Sequence, residues 1–333
     1  MTAAASLPDS FHAWFAGRGW RPRAHQLQLL AHAQAGTSAL LIAPTGAGKT
    51  LAGFLPTLVD AHGRTGARGR GLHTLYISPL KALAVDIARN LAAPVEEMGL
   101  DLRIETRTGD TSAAKRARQR RDPPDALLTT PEQLALLLGG PDAAPLFATL
   151  RRIVLDELHA VVTSKRGDQL ALGLARLRTL APQASVVGLS ATVREPDELR
   201  DWIVARPRRA ARAAAPPGAP AELSILDAAE RLPWTGHSAR HALGEVYAAI
   251  RAARMALVFV NTRAQAEYTF QELWRINDDA LPIALHHGSL DAGQRRRVEA
   301  AMAEGRLRAI VCTSTLDLGI DWGDVDLVIH VGA

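Results

Sequence analysis

Apolar residues in this chain gather into short unbroken runs, each followed by polar residues and then by a stretch with helical spacing. The runs in the first half are Ala39–Ile42, 75–77, 102–104, 126–128, 153–155 and 186–189. A run with no alternation is a strand covered on both faces. Six of them separated by helical patterns predict an α/β fold with a parallel sheet. Residues 10–34 carry Phe11, Trp14 and Phe15, then Leu27, Leu29 and Leu30, at helical spacing broken over 17–22. A second series of runs, at 223–226, 257–260, 283–285, 310–312 and 327–329, predicts another domain of the same style. Between the two series, 206–220 is rich in Pro, Ala and Arg and reads as a linker. The expected division is a first domain over 1–205, a linker over 206–222 and a second domain over 223–333.

In such sheets ligands sit beyond the carboxyl ends of the strands, so the residues after each run carry the chemistry. After the first run come Ala43, Pro44, Thr45, Gly46, Ala47, Gly48, Lys49 and Thr50, and then a helix-compatible stretch. Strand, glycine loop and helix start form the context of a phosphate-binding loop, whose inward N–H groups cradle polyphosphate. Lys49 would reach the outer phosphates and the Thr50 hydroxyl would ligate Mg²⁺. Ala43 stands where the first glycine of the pattern usually sits. The bland alternative is a glycine-rich turn opening an ordinary helix.

After 153–155 come Asp156, Glu157, Leu158 and His159. An acid at a strand end near a phosphate loop holds Mg²⁺, and the next carboxylate orients and deprotonates water. Two acids in the first turn of a helix are the alternative. Ser190, Ala191 and Thr192 follow 186–189 and offer small hydroxyls that suit a link between a nucleotide site and a neighbouring surface. Gln26, 23 residues before Lys49, offers an amide that pairs well with an adenine edge; a surface helix start is the competing reading. The basic run 115–121 follows Thr108, Gly109 and Asp110 and is either a solvated helix face or a contact for nucleic acid.

Composition narrows this only modestly. The chain has 333 residues, 47% hydrophobic and 22% charged, enough for two ordinary domains. A net charge of +5 and a pI of about 9.8 tolerate a polyanionic partner without demanding one. The single cysteine, Cys312, excludes a disulfide framework within the chain. No apolar run reaches membrane-spanning length and the N-terminus lacks signal-peptide character, so a cytoplasmic protein is expected.

The ordered set of motifs resembles that of superfamily-two helicases. The stretches 232–240, 270–277 and 313–323 narrow the resemblance to the large helicase-related (Lhr) proteins, particularly the bacterial ligase-associated DEXH-box helicases. The resemblance implies two tandem RecA-like, P-loop NTPase domains, the second incomplete. It implies an ATP-dependent translocase acting with Mg²⁺ on single-stranded or partly duplex nucleic acid. DNA is favoured, RNA or a hybrid is possible, and movement is 3′-to-5′. A role in repair, beside DNA ligase or nuclease factors, follows from the same likeness.

Residue by residue, the resemblance makes Gln26 the adenine reader and gives Thr45, Gly46, Ala47, Gly48, Lys49 and Thr50 the triphosphate and Mg²⁺. Asp156 and Glu157 become the metal and water-activating acids, and His159, Ser190 and Thr192 the coupling residues. Pro79, Lys81, Thr108, Gly109 and Thr130 in the first domain match backbone-contacting motifs. Asn261, Thr262, Arg263, His287, Gly288 and Thr313 match those of the second. Gly319 and Asp321 resemble residues that reach the nucleotide from the second domain. In the family an arginine motif that completes the ATP site lies beyond the position of Ala333. A chain ending at Ala333 is therefore expected to bind ATP and nucleic acid but to hydrolyse slowly.

Overall fold

The computed structural model describes residues 7–62, 71–191, 193–205, 207–216, 222–226, 240–313 and 325–331. The chain divides into two compact units, Met1–Gly218 and Ala219–Ala333.

The first unit opens with helices α1 (Asp9–Gly17) and α2 (Ala24–Gln34), then strand β1 (Ala39–Ile42) and helix α3 (Lys49–Ala61). Next come β2 (Thr74–Ile77), α4 (Lys81–Glu97), β3 (Ile104–Arg107), α5 (Ala113–Arg121), β4 (Ala126–Thr129), α6 (Pro131–Gly139) and α7 (Ala143–Phe147). The unit closes with β5 (Arg152–Leu155), α8 (Leu158–Val162), α9 (Lys165–Leu180), β6 (Ser185–Ser190), α10 (Pro196–Ile203) and β7 (Ala211–Ala214). The strands form one seven-stranded sheet in the order β3-β4-β2-β5-β6-β1-β7, with every resolved pairing parallel. Successive residues of a strand face opposite sides. Leu41 accordingly enters one apolar layer with Phe54 and Leu55 of α3, while Leu40 enters the other with Phe147 and Leu174. Burial on both faces is why these strands read as unbroken apolar runs.

Three expectations need correction. The segment read as a linker over 206–222 contributes β7, an edge strand whose Ala211–Ala214 runs in register with Ala39–Ile42. The stabilising groups are backbone N–H and C=O, so a composition of Ala and Arg carried no sign of it. The run 223–226, expected as a strand, has no regular structure, and Leu223 and Ile225 are over 90% exposed. The third run is displaced: the strand begins at Ile104 and includes Glu105 and Arg107. The Glu105 charge is tolerated because Arg118 and Gln119 of α5 both donate to it, at 2.6 and 2.9 Å.

At the amino ends of the strands, a polar knot ties three elements. Arg152 of β5 donates to Asp60 of α3 at 2.9 Å, His73 lies 3.4 Å from the same carboxylate, and Thr57 meets Thr74 at 2.9 Å. A nearly buried Arg–Asp pair is stabilising only when hydrogen-bonded on both sides, as here. The knot fixes the far end of α3, whose near end carries Lys49.

The second unit contains α11 (Leu243–Ala252), β8 (Ala256–Val260), α12 (Arg263–Arg275), β9 (Ile283–His286), α13 (Ala292–Ala303), β10 (Ala309–Cys312) and β11 (Leu327–Val331). Among the described residues its four strands lie in the order β11-β8-β10-β9, again parallel. Val258 and Leu257 feed opposite layers, the same pattern as in the first sheet. Cys312 is buried.

Candidate nucleotide site and nucleic-acid edge

All strands of the first sheet are parallel, so every loop that leaves a carboxyl end lies along one rim. β1, β6 and β5 are neighbours, and they deliver 43–50, Ser190 and Asp156–Glu157 side by side. β2, β4 and β3 deliver Ser78–Lys81, Thr130–Glu132 and Thr108–Asp110 along the other half. The rim therefore has a half bearing the phosphate loop and the acids, and a half bearing the three motifs expected to contact a nucleic-acid backbone.

The 43–50 loop is shaped by two glycines. Gly46 and Gly48 have φ of +75° and +74°, a region that strains any residue with a Cβ. At Gly48 a Cβ would also lie 3.0 Å from the Gln26 amide nitrogen. Ala43 needs no such freedom, since its N–H continues the sheet by donating to the Ser190 carbonyl at 3.1 Å. Lys49 is buried, and its ammonium donates to the carbonyls of Ala43 and Pro44 at 3.2 and 3.3 Å. A mobile ammonium held over the loop by neutral acceptors is poised to exchange them for an anion.

The start of α2 braces this loop from outside. Arg23 donates to the Gly46 carbonyl at 3.0 Å and His25 Nε2 lies 2.9 Å from the Ala47 carbonyl. Burial lowers the His25 pKa, keeping the ring neutral with its proton on Nε2. Gln26 is buried and its amide oxygen accepts from the Arg23 N–H at 2.9 Å, so the residue caps its own helix as well as facing the loop.

Asp156 is buried, and burial followed by the neighbouring Glu157 charge raises its pKa to about 7. Its Oδ1 accepts from the Glu157 N–H at 2.9 Å. Tyr76, fully buried beside Asp156 and Thr50, has a hydroxyl pushed well above its ordinary pKa by burial and by the Asp156 charge. Glu157 sits at φ 44°, ψ 46°, left-handed backbone that costs a non-glycine residue about 1 kcal/mol or more. Strain of this kind persists where the surroundings fix a side chain in a working position. His159 Nδ1 lies 3.6 Å from Glu157 Oε2. The same Nδ1 accepts from the Ala191 N–H at 3.3 Å, with Ser190 Oγ also at 3.3 Å. His159 thereby joins the acid loop to the loop after β6. Thr192, Gly319 and Asp321 lie outside the described residues.

Along the other half of the rim, Lys81 pairs with Asp110 at 3.1 Å. Both side chains are more than half exposed, and such a pair is worth under ~1 kcal/mol, so a phosphate competes easily for the lysine. Gly109 is exposed, while Pro79, Thr108 and Thr130 are buried as whole residues. Arg116 donates to the Thr108 and Gly109 carbonyls at 3.1 and 2.7 Å, and Arg118 is committed to Glu105. These arginines of the 115–121 run are used internally. Arg166 was not legible in sequence: it donates to the Pro79 carbonyl and to Glu132, both at 2.6 Å, fastening two of the three loops together.

In the second unit, 261–263, 287–288 and Thr313 follow β8, β9 and β10 and share one rim of that sheet. Asn261, Thr262, Arg263 and Gly288 are exposed. Thr262 caps α12, accepting from the Gln265 N–H at 3.2 Å. His287 is 2% exposed; it lies 3.2 Å from Glu267 and accepts from the Ser289 N–H at 3.3 Å. Its side chain organises the loop from within.

A phosphate-loop α/β domain with a buried strand-end acid, followed by a second parallel sheet, defines the class of the tandem-domain helicases. Residues 23–199 match the DEAD/DEAH box helicase family, and residues 239–333 match the helicase conserved C-terminal domain. The ATP-dependent helicase Lhr-Core protein 2 of Thermococcus barophilus is 33% identical over 350 residues, spanning 98% of this chain and 40% of that protein. The Lhr helicase/uracil glycosylase of Escherichia coli is 34% identical over 395 residues, spanning 98% of this chain and 25% of its own length. The structure of Mycobacterium smegmatis helicase Lhr bound to ssDNA and AMP-PNP matches with a TM-score of 0.77 at 36% identity, over 97% of this chain and 43% of that one. The chain belongs to the Lhr family of superfamily-two helicases. It spans less than half the length of these relatives.

Proposed function

We propose that this chain is the ATP-driven motor core of a nucleic-acid translocase that moves 3′-to-5′ on single-stranded DNA and separates strands during repair. The observation that carries the proposal is the single rim on which Lys49, Asp156, strained Glu157 and the His159–Ser190 junction stand in adjacent strand-end loops. Lys49 leaves its two loop carbonyls for the outer phosphates of ATP. Asp156 and the Thr50 hydroxyl offer the hard oxygen donors that suit Mg²⁺, and the buried carboxyl gains a counter-charge for its ionised form. Bound with ATP, the ion neutralises charge on the transferring phosphate. Glu157 takes the proton of the attacking water, and its change of charge is felt 3.6 Å away at His159. From there the hydrogen bonds to Ser190 and Ala191 carry the change to the loop after β6.

The proposed nucleic-acid half of the rim suits a motor because its exposed Lys81 and Gly109 fit a phosphate backbone rather than a base edge. The Mycobacterium smegmatis relative bound to ssDNA and AMP-PNP supports DNA as the track and ATP as the fuel. A cytoplasmic setting beside DNA ligase or nuclease factors extends the proposal by family resemblance alone. The test is titration of Mg·ATP into Lys49→Ala and Glu157→Gln variants. Lys49→Ala should abolish binding, whereas Glu157→Gln should bind ATP and hold it. Wild-type affinity in the Lys49 variant would remove the nucleotide site; equal loss in both would make Glu157 structural.

A further inference from the structure

Strand β2 runs beside β5 with Tyr76 opposite Val154, and the Asp156 N–H continues the pairing by donating to the Ile77 carbonyl at 2.9 Å. Residues two apart on a strand share a face, so Tyr76, Val154 and Asp156 stand on the same side of the sheet. That side is covered by α3, whose Phe54 and Leu55 share an apolar layer with Tyr76 and Val154. The helix sits close to the sheet there: a Cβ at Gly53 would lie 3.1 Å from Val154 Cγ1. Its first residues are Lys49 and Thr50. The Tyr76 ring therefore lies in the core, while its hydroxyl ends beside Thr50 of the helix and Asp156 of the neighbouring strand.

This hydroxyl is short of a partner. Tyr76 is fully buried, and its hydroxyl makes no hydrogen bond among the described residues, although Asp156 and Thr50 are near enough to shift its pKa. A buried hydroxyl left unpaired is destabilising, and a phenylalanine would fill the same space without that cost. Burial keeps the phenol protonated, so toward a carboxylate it acts as a donor. The two side chains beside it are those proposed above to hold Mg²⁺. Along its own strand, Tyr76 precedes Ser78 by two residues, and the Ser78 N–H donates to the Thr129 carbonyl at 2.9 Å. The loop 78–81 of the proposed nucleic-acid half follows directly.

We infer that Tyr76 is a positioning residue: when Mg·ATP is loaded its hydroxyl donates to the Asp156 carboxylate, fixing that acid and tying it through β2 to the loop at 78–81. The inference rests on the proposed ATP site and adds to it a residue buried beneath both halves of the rim. Tyr76 is then a second route between the two halves. The His159 junction links Glu157 to the loop after β6, whereas Tyr76 links Asp156 to the loop after β2. Because this bond is not already made, the free energy of making it is shared between nucleotide and strand, and each ligand tightens the other by the same factor.

The test is Tyr76→Phe in the full chain, which keeps the ring in the core and removes only the hydroxyl. Calorimetric titration with AMP-PNP, with and without Mg²⁺, should show the gain in affinity from Mg²⁺ cut about tenfold, the worth of one hydrogen bond to a charged group. Affinity without Mg²⁺ should be unchanged. Anisotropy of a labelled oligothymidylate should show the same affinity as wild type without nucleotide, and a smaller gain on adding Mg·AMP-PNP. The melting temperature should rise by about 2 °C or more as the unpaired hydroxyl is lost. A full Mg²⁺ gain in the variant would overturn the inference, as would a loss of AMP-PNP affinity equal with and without Mg²⁺, which marks a merely structural role. A lower melting temperature would show the hydroxyl already paired and overturn it likewise. An undiminished gain in oligothymidylate affinity would refute the tie to the 78–81 loop. If wild type gained nothing from Mg²⁺, the proposed ATP site itself would be wrong rather than the part given to Tyr76.

Discussion

Asp156→Asn should make the protein more stable while removing its metal-dependent nucleotide binding, and the gain should depend on pH in a defined way. The carboxyl has an ordinary value of 3.8 and a folded value of about 7, raised first by burial and then by Glu157. Below about pH 4 both folded and unfolded chains hold the proton, and the carboxyl costs nothing. As pH rises the unfolded chain releases its proton while the folded chain keeps it, so stability falls between roughly pH 4 and 7 and then levels off. A rise of this size corresponds to ~4 kcal/mol at full expression, the most that a neutral Asn could recover. Urea unfolding of wild type and variant, followed for the first unit between pH 4.5 and 8, measures the difference directly. The stability gap should be small at pH 4.5, grow steadily, and flatten above pH 7. A gap of the same size at pH 5 and pH 8 would refute the assignment of strain to the buried charge. The same variant should bind tripolyphosphate without Mg²⁺ but gain nothing when the ion is added.

Glu157→Gly should raise stability by about 1 kcal/mol, because φ of 44° suits glycine, while Glu157→Gln keeps the strain and should not; thermal unfolding of both variants separates the two. Arg166→Ala should lower single-stranded DNA affinity several-fold with Mg·ATP affinity unchanged, since the 79 and 132 loops lose their common tie; a parallel loss of ATP binding would count against a role confined to that half of the rim. Single-stranded DNA affinity should fall linearly against salt on logarithmic axes, with little dependence on base sequence. A strong preference for one sequence at fixed salt would contradict backbone contact.

The central strands were legible in sequence because burial on both faces leaves no other residue choice than an apolar run. Edge strands were harder to read. β3 carries Glu105 because α5 covers it with matching polar groups, and β7 is held by a neighbour's backbone. The exposed run at 223–226 looked like a strand only because periodicity cannot tell burial from exposure. At the site, contiguous motifs such as 45–50 and 156–159 were readable one after another along the chain. Contacts across 23 or 87 residues, such as Arg23 on Gly46 and Arg166 on Pro79, depend on how distant segments meet and left no local pattern. Tyr76 was hidden similarly, as one more apolar residue in a strand.

The parallel order of the first sheet also decides where the molecule is safe to handle. All its chemistry stands at one rim, and the turn 181–184 between α9 and β6 stands at the other, with Pro182 exposed. The chain's one native cysteine is buried. A Pro182→Cys variant would therefore accept a single dye or surface tether at a known point while leaving ATP and nucleic acid free to bind. The proposed movement along a strand could then be tested on individual molecules, with the nucleotide-site rim of the first unit facing away from the attachment.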